Sequence, residues 1–175
     1  MALCLNQLLQ NKRSSPFILI NDSIQFSGLS LLSEFATTTL RENQGLIVVL
    51  TETSPTAWLT RLQQHTTTIT QNNDKNTISI IDAYTDPLGW DDQTEIVTNQ
   101  QLPTGVTIQK VQDIRDMERS ILKPIIEKIT TPGSECSILI DSIHPLLMIS
   151  QQRTYQLIKA LESLTTGNII IIYYS

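Results

Sequence analysis

The sequence predicts an α/β fold in which a mainly parallel central sheet is flanked by helices. Two observations carry that prediction. The candidate strands, such as Leu46 to Thr51 and Cys136 to Asp141, are nearly unbroken apolar runs, the mark of strands buried on both faces. These runs alternate with stretches whose apolar residues recur at helical spacing, the pattern of strand–helix–strand units. The chain of 175 residues is 40% hydrophobic and 17% charged, which suits one folded domain over residues 1–175 with its own core.

The elements follow in order. Phe17-Ile18-Leu19-Ile20 reads as a buried strand entered from the turn cluster Ser14-Ser15-Pro16. Leu29 to Arg41 carries Leu29, Leu32, Phe35, Ala36 and Leu40 at helical spacing. Leu46 to Thr51 is the second strand. Ser54-Pro55 then reads as an N-cap with proline at the first helical position, opening a helix to about Gln64. Thr77 to Asp82 is the third strand, after a polar surface loop at Gln71 to Asn76. Ala83 to Gly105 reads as one long loop, a length that is uncommon unless the loop is functional or packs on something. Asp113 caps a helix to about Thr130, with Pro124 expected to kink it. Cys136 to Asp141 is the fourth strand, Gln151 to Leu164 a helix closed by Gly167, and Asn168 to Tyr174 the fifth strand.

Composition excludes several classes. A net charge of −5 argues against a strongly basic nucleic-acid binder, and 5% aromatic content against a stacking platform for single strands. Cys4 and Cys136 lie far apart and outside any metal-ligand spacing, which points to a reducing compartment, cytosol or nucleus. The run Ile169 to Tyr174 is far below membrane-spanning length, so no membrane partner is expected.

Function in such a sheet is sought just after each strand. The first strand-to-helix junction, Ser23-Ile-Gln-Phe-Ser-Gly28-Leu29-Ser30, can be set against the phosphate-loop pattern GxxxxGK[ST]. Gly28 and Ser30 fall on the second glycine and the hydroxyl, Ser23 on the first glycine and Leu29 on the lysine. Leucine supplies no charge to the β- and γ-phosphates, and Ser23 and Phe26 hinder close backbone approach. The fourth strand ends in Asp141, a Walker B arrangement that would hold Mg²⁺ near Ser30 in an intact nucleotide site; the other reading is that Asp141 caps the following turn. Glu52 ends the second strand, either as a water-activating carboxylate or as a solvated one. No catalytic residue, cofactor or metal ligand follows from these degenerate motifs.

Four segments in order then resemble the Elongator complex protein 5 family: residues 18–24 (Ile-Leu-Ile-Asn-Asp-Ser-Ile), residues 28–32 (Gly-Leu-Ser-Leu-Leu), Asp82 to Trp90 with its Asp-Pro-Leu-Gly-Trp, and Ile140 to Leu147. The resemblance spans about Leu8 to Tyr174. It implies a RecA-like P-loop NTPase fold with broken nucleotide motifs, hence a pseudo-ATPase with no cofactor. It further implies a hetero-hexameric ring with Elongator subunits four and six that binds tRNA and serves the core Elongator complex in modifying the wobble uridine, in cytoplasm and nucleus. Family members continue past the fifth strand, so the resemblance also implies a C-terminally incomplete sheet with Asn168 to Tyr174 as an unprotected edge. Two rival readings share the fold: an active P-loop ATPase with an atypical loop, and a recombinase paralogue acting in DNA repair.

Arg115, Arg119 and Lys123 repeat every four residues and form a basic stripe, either an RNA contact or a solvated face balanced by Asp116, Glu118 and Glu127. His65 ends a helix and His144 precedes Pro145 in a loop; neither has partners for metal or catalysis. Trp58 and Trp90 are candidates for either interface anchors or core.

Overall fold

Apolar β-branched runs are the reason a sheet forms at the centre of this chain, and the computed structural model shows six strands side by side. It describes residues 17–22, 28–42, 44–65, 77–90, 102–130, 136–164 and 169–174. The strands are Phe17–Asp22 (β1), Gly45–Leu50 (β2), Ile78–Asp82 (β3), Val106–Lys110 (β4), Cys136–Ile140 (β5) and Ile169–Tyr174 (β6). Their order across the sheet is β1-β6-β5-β2-β3-β4, and every neighbouring pair is parallel. The helices are Gly28–Arg41 (α1), Pro55–His65 (α2), Lys123–Ile129 entered through a π-helical turn Glu118–Leu122 (together α3), His144–Ile149 (α4) and Gln151–Leu164 (α5).

Alternation along the strands builds two cores. Leu46, Val48, Leu50, Ile78 and Ile80 point to α1 and α2, where Leu32, Phe35, Leu40, Trp58 and Leu62 meet them. Ile47, Val49, Ile81, Ile138 and Ile140 point to the opposite face, against Ile121 and Ile125 of α3, Leu146 of α4 and Leu157 and Leu161 of α5. Both faces of β2 and β5 are therefore covered, which is why every residue of each is buried. Each fully buried aliphatic side chain contributes about 1.5–3 kcal/mol. Cys136 is one of these buried side chains and is a free thiol.

The local signals explain most boundaries. Ser54 Oγ accepts the Ala57 N–H at 3.2 Å, the expected N-cap ahead of Pro55. The π-helical turn precedes Pro124, where a kink was expected. Proline has no N–H to offer the carbonyl four residues back, and here the Lys123 N–H reaches the Glu118 carbonyl five residues back instead. Asp113 does not cap this helix. Asp116 does, accepting the Arg119 N–H at 3.2 Å, because the chain turns once more at Ile114 and Arg115 before the helix begins.

Three further expectations are corrected. A sixth strand, β4, follows β3 in the chain, and residues 91–101 of the expected long loop lie outside the described residues. It is partly buried in alternation, Val106 buried and Thr107 and Gln109 exposed, so it lacks the continuous apolar run by which the other strands are read. The strand expected as an edge is not one: β6, Ile169–Tyr174, pairs with β1 on one side and β5 on the other, and the outer strands of the described sheet are β1 and β4. His144 does not sit in a loop but opens α4, with Pro145 in its first turn, where a missing N–H costs nothing. Cys4, Ser23, Gln71 to Asn76 and Gly167 lie outside the described residues. No helix of the described residues is long and apolar enough to cross a membrane.

Candidate functional site

An open parallel sheet forms its ligand crevice at the carboxyl edge, where successive crossovers leave in opposite directions. Here that point lies between β2 and β5. From β2 the chain crosses through α2 to β3, and from β5 it crosses through α4 and α5 to β6 on the other side. The two strands pair in register through Val49 and Ile140, so Thr51-Glu52 and Asp141-Ser142 leave the sheet together.

Asp141 occupies this crevice. It is 1% exposed. Its Oδ1 accepts the Thr51 N–H at 2.7 Å and lies 2.9 Å from the Thr51 hydroxyl. Its Oδ2 accepts the N–H groups of Glu52 at 3.2 Å and Thr53 at 2.8 Å. The Thr51 hydroxyl also reaches the Ser142 carbonyl at 2.6 Å, and the Asp141 N–H donates to the Val49 carbonyl. Burial pushes the Asp141 carboxyl above its ordinary range, opposed by the hydrogen bonds from Thr51, Glu52 and Thr53. Three consecutive N–H groups converging on one point make an anion-binding hollow. In this chain the hollow is filled by the chain's own carboxyl side chain.

Of the residues set against the phosphate-loop pattern, Gly28, Leu29 and Ser30 lie in the first turn of α1. Gly28 is buried at the start of α1, and Leu29 packs against the α1–α2 core alongside Ile18 and Ile20. Ser30 is exposed. Asp141 directs its hydrogen bonds to β2, on the side of β5 away from β1, the strand that leads into Ser23 and Gly28. Neither earlier reading of Asp141 anticipates this: it caps the end of the neighbouring strand rather than its own turn. Glu52 is exposed and contributes only its backbone N–H. Asp82, at the end of β3, instead caps its own turn: its Oδ1 accepts the N–H groups of Tyr84 at 3.1 Å and Thr85 at 2.9 Å. Among the described residues no group of three or more His, Cys, Asp or Glu is placed to hold a metal, and His65 and His144 stand on different helices.

The profile of the family described as Elongator subunit Iki1 matches residues 4–175. The chain belongs to this family. It is the Elongator complex protein 5 family that the four segments resemble. A search of curated proteins returned no significant match.

An Elongator subunit associates with other Elongator subunits, so the surface matters as much as the crevice. The basic stripe divides. Arg115 precedes α3 and is held by Asp113, with Nε at 2.9 Å from Oδ1 and Nη2 at 2.9 Å from Oδ2. The guanidinium keeps the Asp113 carboxyl below its ordinary range. Arg115 and Arg153 line a cleft of about 630 Å³ between the approach to α3 and α5, and the Arg153 guanidinium donates to the Arg115 carbonyl. Arg119 and Lys123 line a separate cleft of about 320 Å³ with Lys110 of β4 and Glu127. Lys110 goes unnoticed in the sequence because β4 does, and Thr51 carries no motif signal at all.

The two tryptophans separate completely. Trp58 is 2% exposed in the core, whereas Trp90 is 80% exposed.

Proposed function

We propose that this chain is a non-catalytic, RecA-like subunit of the Elongator accessory ring, joining Elongator subunits four and six in a hetero-hexamer that supports modification of the tRNA wobble uridine, in cytoplasm and nucleus. The family match over residues 4–175 carries this reading. The same match leaves the recombinase-paralogue alternative without support. The strand order favours a RecA-like assignment, since one strand, β6, lies between the strand that leads into the degenerate phosphate loop and the strand that ends in Asp141.

The pseudo-ATPase part of the proposal draws on two side chains. Leu29 sits where a phosphate-binding lysine would, and it faces the core. Asp141 sits where a Mg²⁺-holding carboxylate would, and its oxygens are engaged by β2. Binding Mg²⁺ there would mean breaking several buried hydrogen bonds, each worth about 0.5–1.5 kcal/mol net. For contact with tRNA, Arg119 and Lys123 are the proposed residues, and Arg115 drops out because its charge is spent on Asp113.

Co-expression with the organism's own Elongator subunits four and six, followed by affinity capture and mass-resolved gel filtration, tests the assignment. A stoichiometric assembly is expected; a chain that stays monomeric beside both partners refutes it. Within that assembly, Arg119→Glu with Lys123→Glu should weaken tRNA binding and lower its salt dependence by about one unit of slope per lost phosphate contact. Titration with labelled ATP and Mg²⁺ should show no saturable binding by the isolated chain.

A further inference from the structure

The charged residues from Asp113 to Glu127 divide between two clefts. Asp113, Asp116 and Glu118 line the larger one with Arg115 and Arg153. Arg119, Lys123 and Lys110 line the smaller one, where Glu127 is the one carboxylate among the lining residues. Two of the carboxylates set beside the basic stripe in the sequence, Asp116 and Glu118, therefore belong to the other cleft. Among the described residues neither Arg119 nor Lys123 forms an ion pair, whereas Arg115 does. On a chain of net charge −5, this is a local basic site of the kind that concentrates a polyanion.

The rest of the lining says which polyanion. Gln109 of β4 and Gln112 just beyond it are exposed and face the same cleft. Side-chain amides, with arginine and lysine, are the groups that bond phosphate and sugar oxygens in nucleic acids. Their platform is firm. The Val111 N–H donates to the Asp82 carbonyl at 2.9 Å, and the Gln112 carbonyl is crossed so closely by Gly89 that a Cβ there would lie 2.1 Å from its oxygen. The Arg119 N–H is held by Asp116 Oδ1 at 3.2 Å. No aromatic residue lines this cleft, and Pro124 is its one apolar residue. Unpaired bases are held by stacking on aromatic rings, and protein interfaces close around an apolar centre. Cations and amides without either are the chemistry that meets the backbone of a double strand.

We infer that this cleft docks the sugar–phosphate backbone of paired RNA, with Arg119 and Lys123 as its phosphate-binding residues and Gln109 and Gln112 as hydrogen-bond donors beside them. The inference rests on the tRNA reading above and deepens it: the chain holds a stem of the tRNA, not the unpaired bases of the anticodon loop.

The test uses the assembly with Elongator subunits four and six and three fluorescein-labelled probes, read by anisotropy at low and moderate salt. The probes are a tRNA, a blunt RNA duplex of arbitrary sequence, and an unstructured oligouridylate as long as one strand of that duplex. Arg119→Gln with Lys123→Gln should weaken binding of the tRNA and of the duplex by about tenfold, lower the salt slope by about 0.9 for each lost phosphate contact, and leave the oligouridylate unchanged. Gln109→Ala with Gln112→Ala should weaken the duplex without altering its salt slope, because these donors carry no charge. Equal losses on duplex and oligouridylate overturn the stem assignment. Wild-type affinity for tRNA in both variants overturns the cleft as the contact and leaves the tRNA reading standing. Failure of the wild-type assembly to bind tRNA overturns both. Loss of assembly by the Arg119 and Lys123 variant, with its thermal midpoint unchanged, also overturns the inference and makes the cleft a contact with an acidic face of a neighbouring subunit.

Discussion

The crevice between β2 and β5 and the loop that follows β3 lie along the same carboxyl edge, and both are organised by an aspartate that accepts backbone N–H groups. They end in opposite states. Asp141 is buried, and the crevice it fills is closed by the chain itself. Asp86 holds the N–H of Trp90, and the side chain so positioned faces outward. The edge at which open parallel sheets bind ligands is thus turned inward as a clasp at its centre, while at its side Trp90 faces outward. The difference follows from neighbours. The β2–β5 junction is covered on both faces, whereas β3 has on its far side only β4, the outer strand of the described sheet.

The sharpest way to break the contrast is to remove the clasp. Asp141→Ala leaves three N–H groups without their acceptor and should cost about 3–5 kcal/mol in chemical denaturation, the loss typical of a buried polar network deprived of one partner. On the other side, Gly89→Ala forces a side chain into the Gln112 carbonyl at a positive φ. It should cost about 1–3 kcal/mol and, in iodide-quenching measurements, change the accessibility of Trp90.

The protonation of Asp141 separates burial from hydrogen bonding. Its pKa is raised in the folded chain, so the fold holds this proton more tightly than the unfolded chain does. Stability from that source is fully present below the ordinary carboxylate pKa and is lost as pH rises through the raised folded value. Asp141→Asn cannot titrate there. Denaturation of the two proteins from pH 4 to 7 should therefore show the wild type losing stability relative to the variant as pH rises. A gain instead would mean that the N–H donors outweigh desolvation.

The smallest expected effect is Trp90→Ala on stability, within about 0.5 kcal/mol, because its backbone rather than its ring is what the loop holds. Trp58→Ala, by contrast, opens the α1–α2 core and should cost about 3–5 kcal/mol. A large loss in Trp90→Ala would show that the indole supports the fold.

Much of this architecture was legible beforehand. Continuous apolar runs and capping residues such as Ser54 are local signals, and they place five strands, the parallel class and four of the helical segments. The segments at residues 28–32 and 140–147 pointed to the family that the match over residues 4–175 establishes. What local signals could not carry was anything decided by a neighbour distant in the chain. The strand β4 is buried on one face only, so its run alternates and goes unread. Asn168 to Tyr174 looks like an edge until β1 and β5 are seen on either side of it.

The residue types that set the fold class, the leucine at position 29 and the placement of an aspartate after β5 were determined by the sequence alone, since each depends on chemistry at one position or on spacing within one element. Tertiary structure alone decided that Asp141 turns toward Thr51, Glu52 and Thr53 across some ninety residues, and that Arg115 parts from Arg119 and Lys123. It also decided that of two tryptophans one is core and the other faces outward. Burial and hydrogen-bond direction depend on which strands pack together, and that is a property of the assembled sheet rather than of any segment in it.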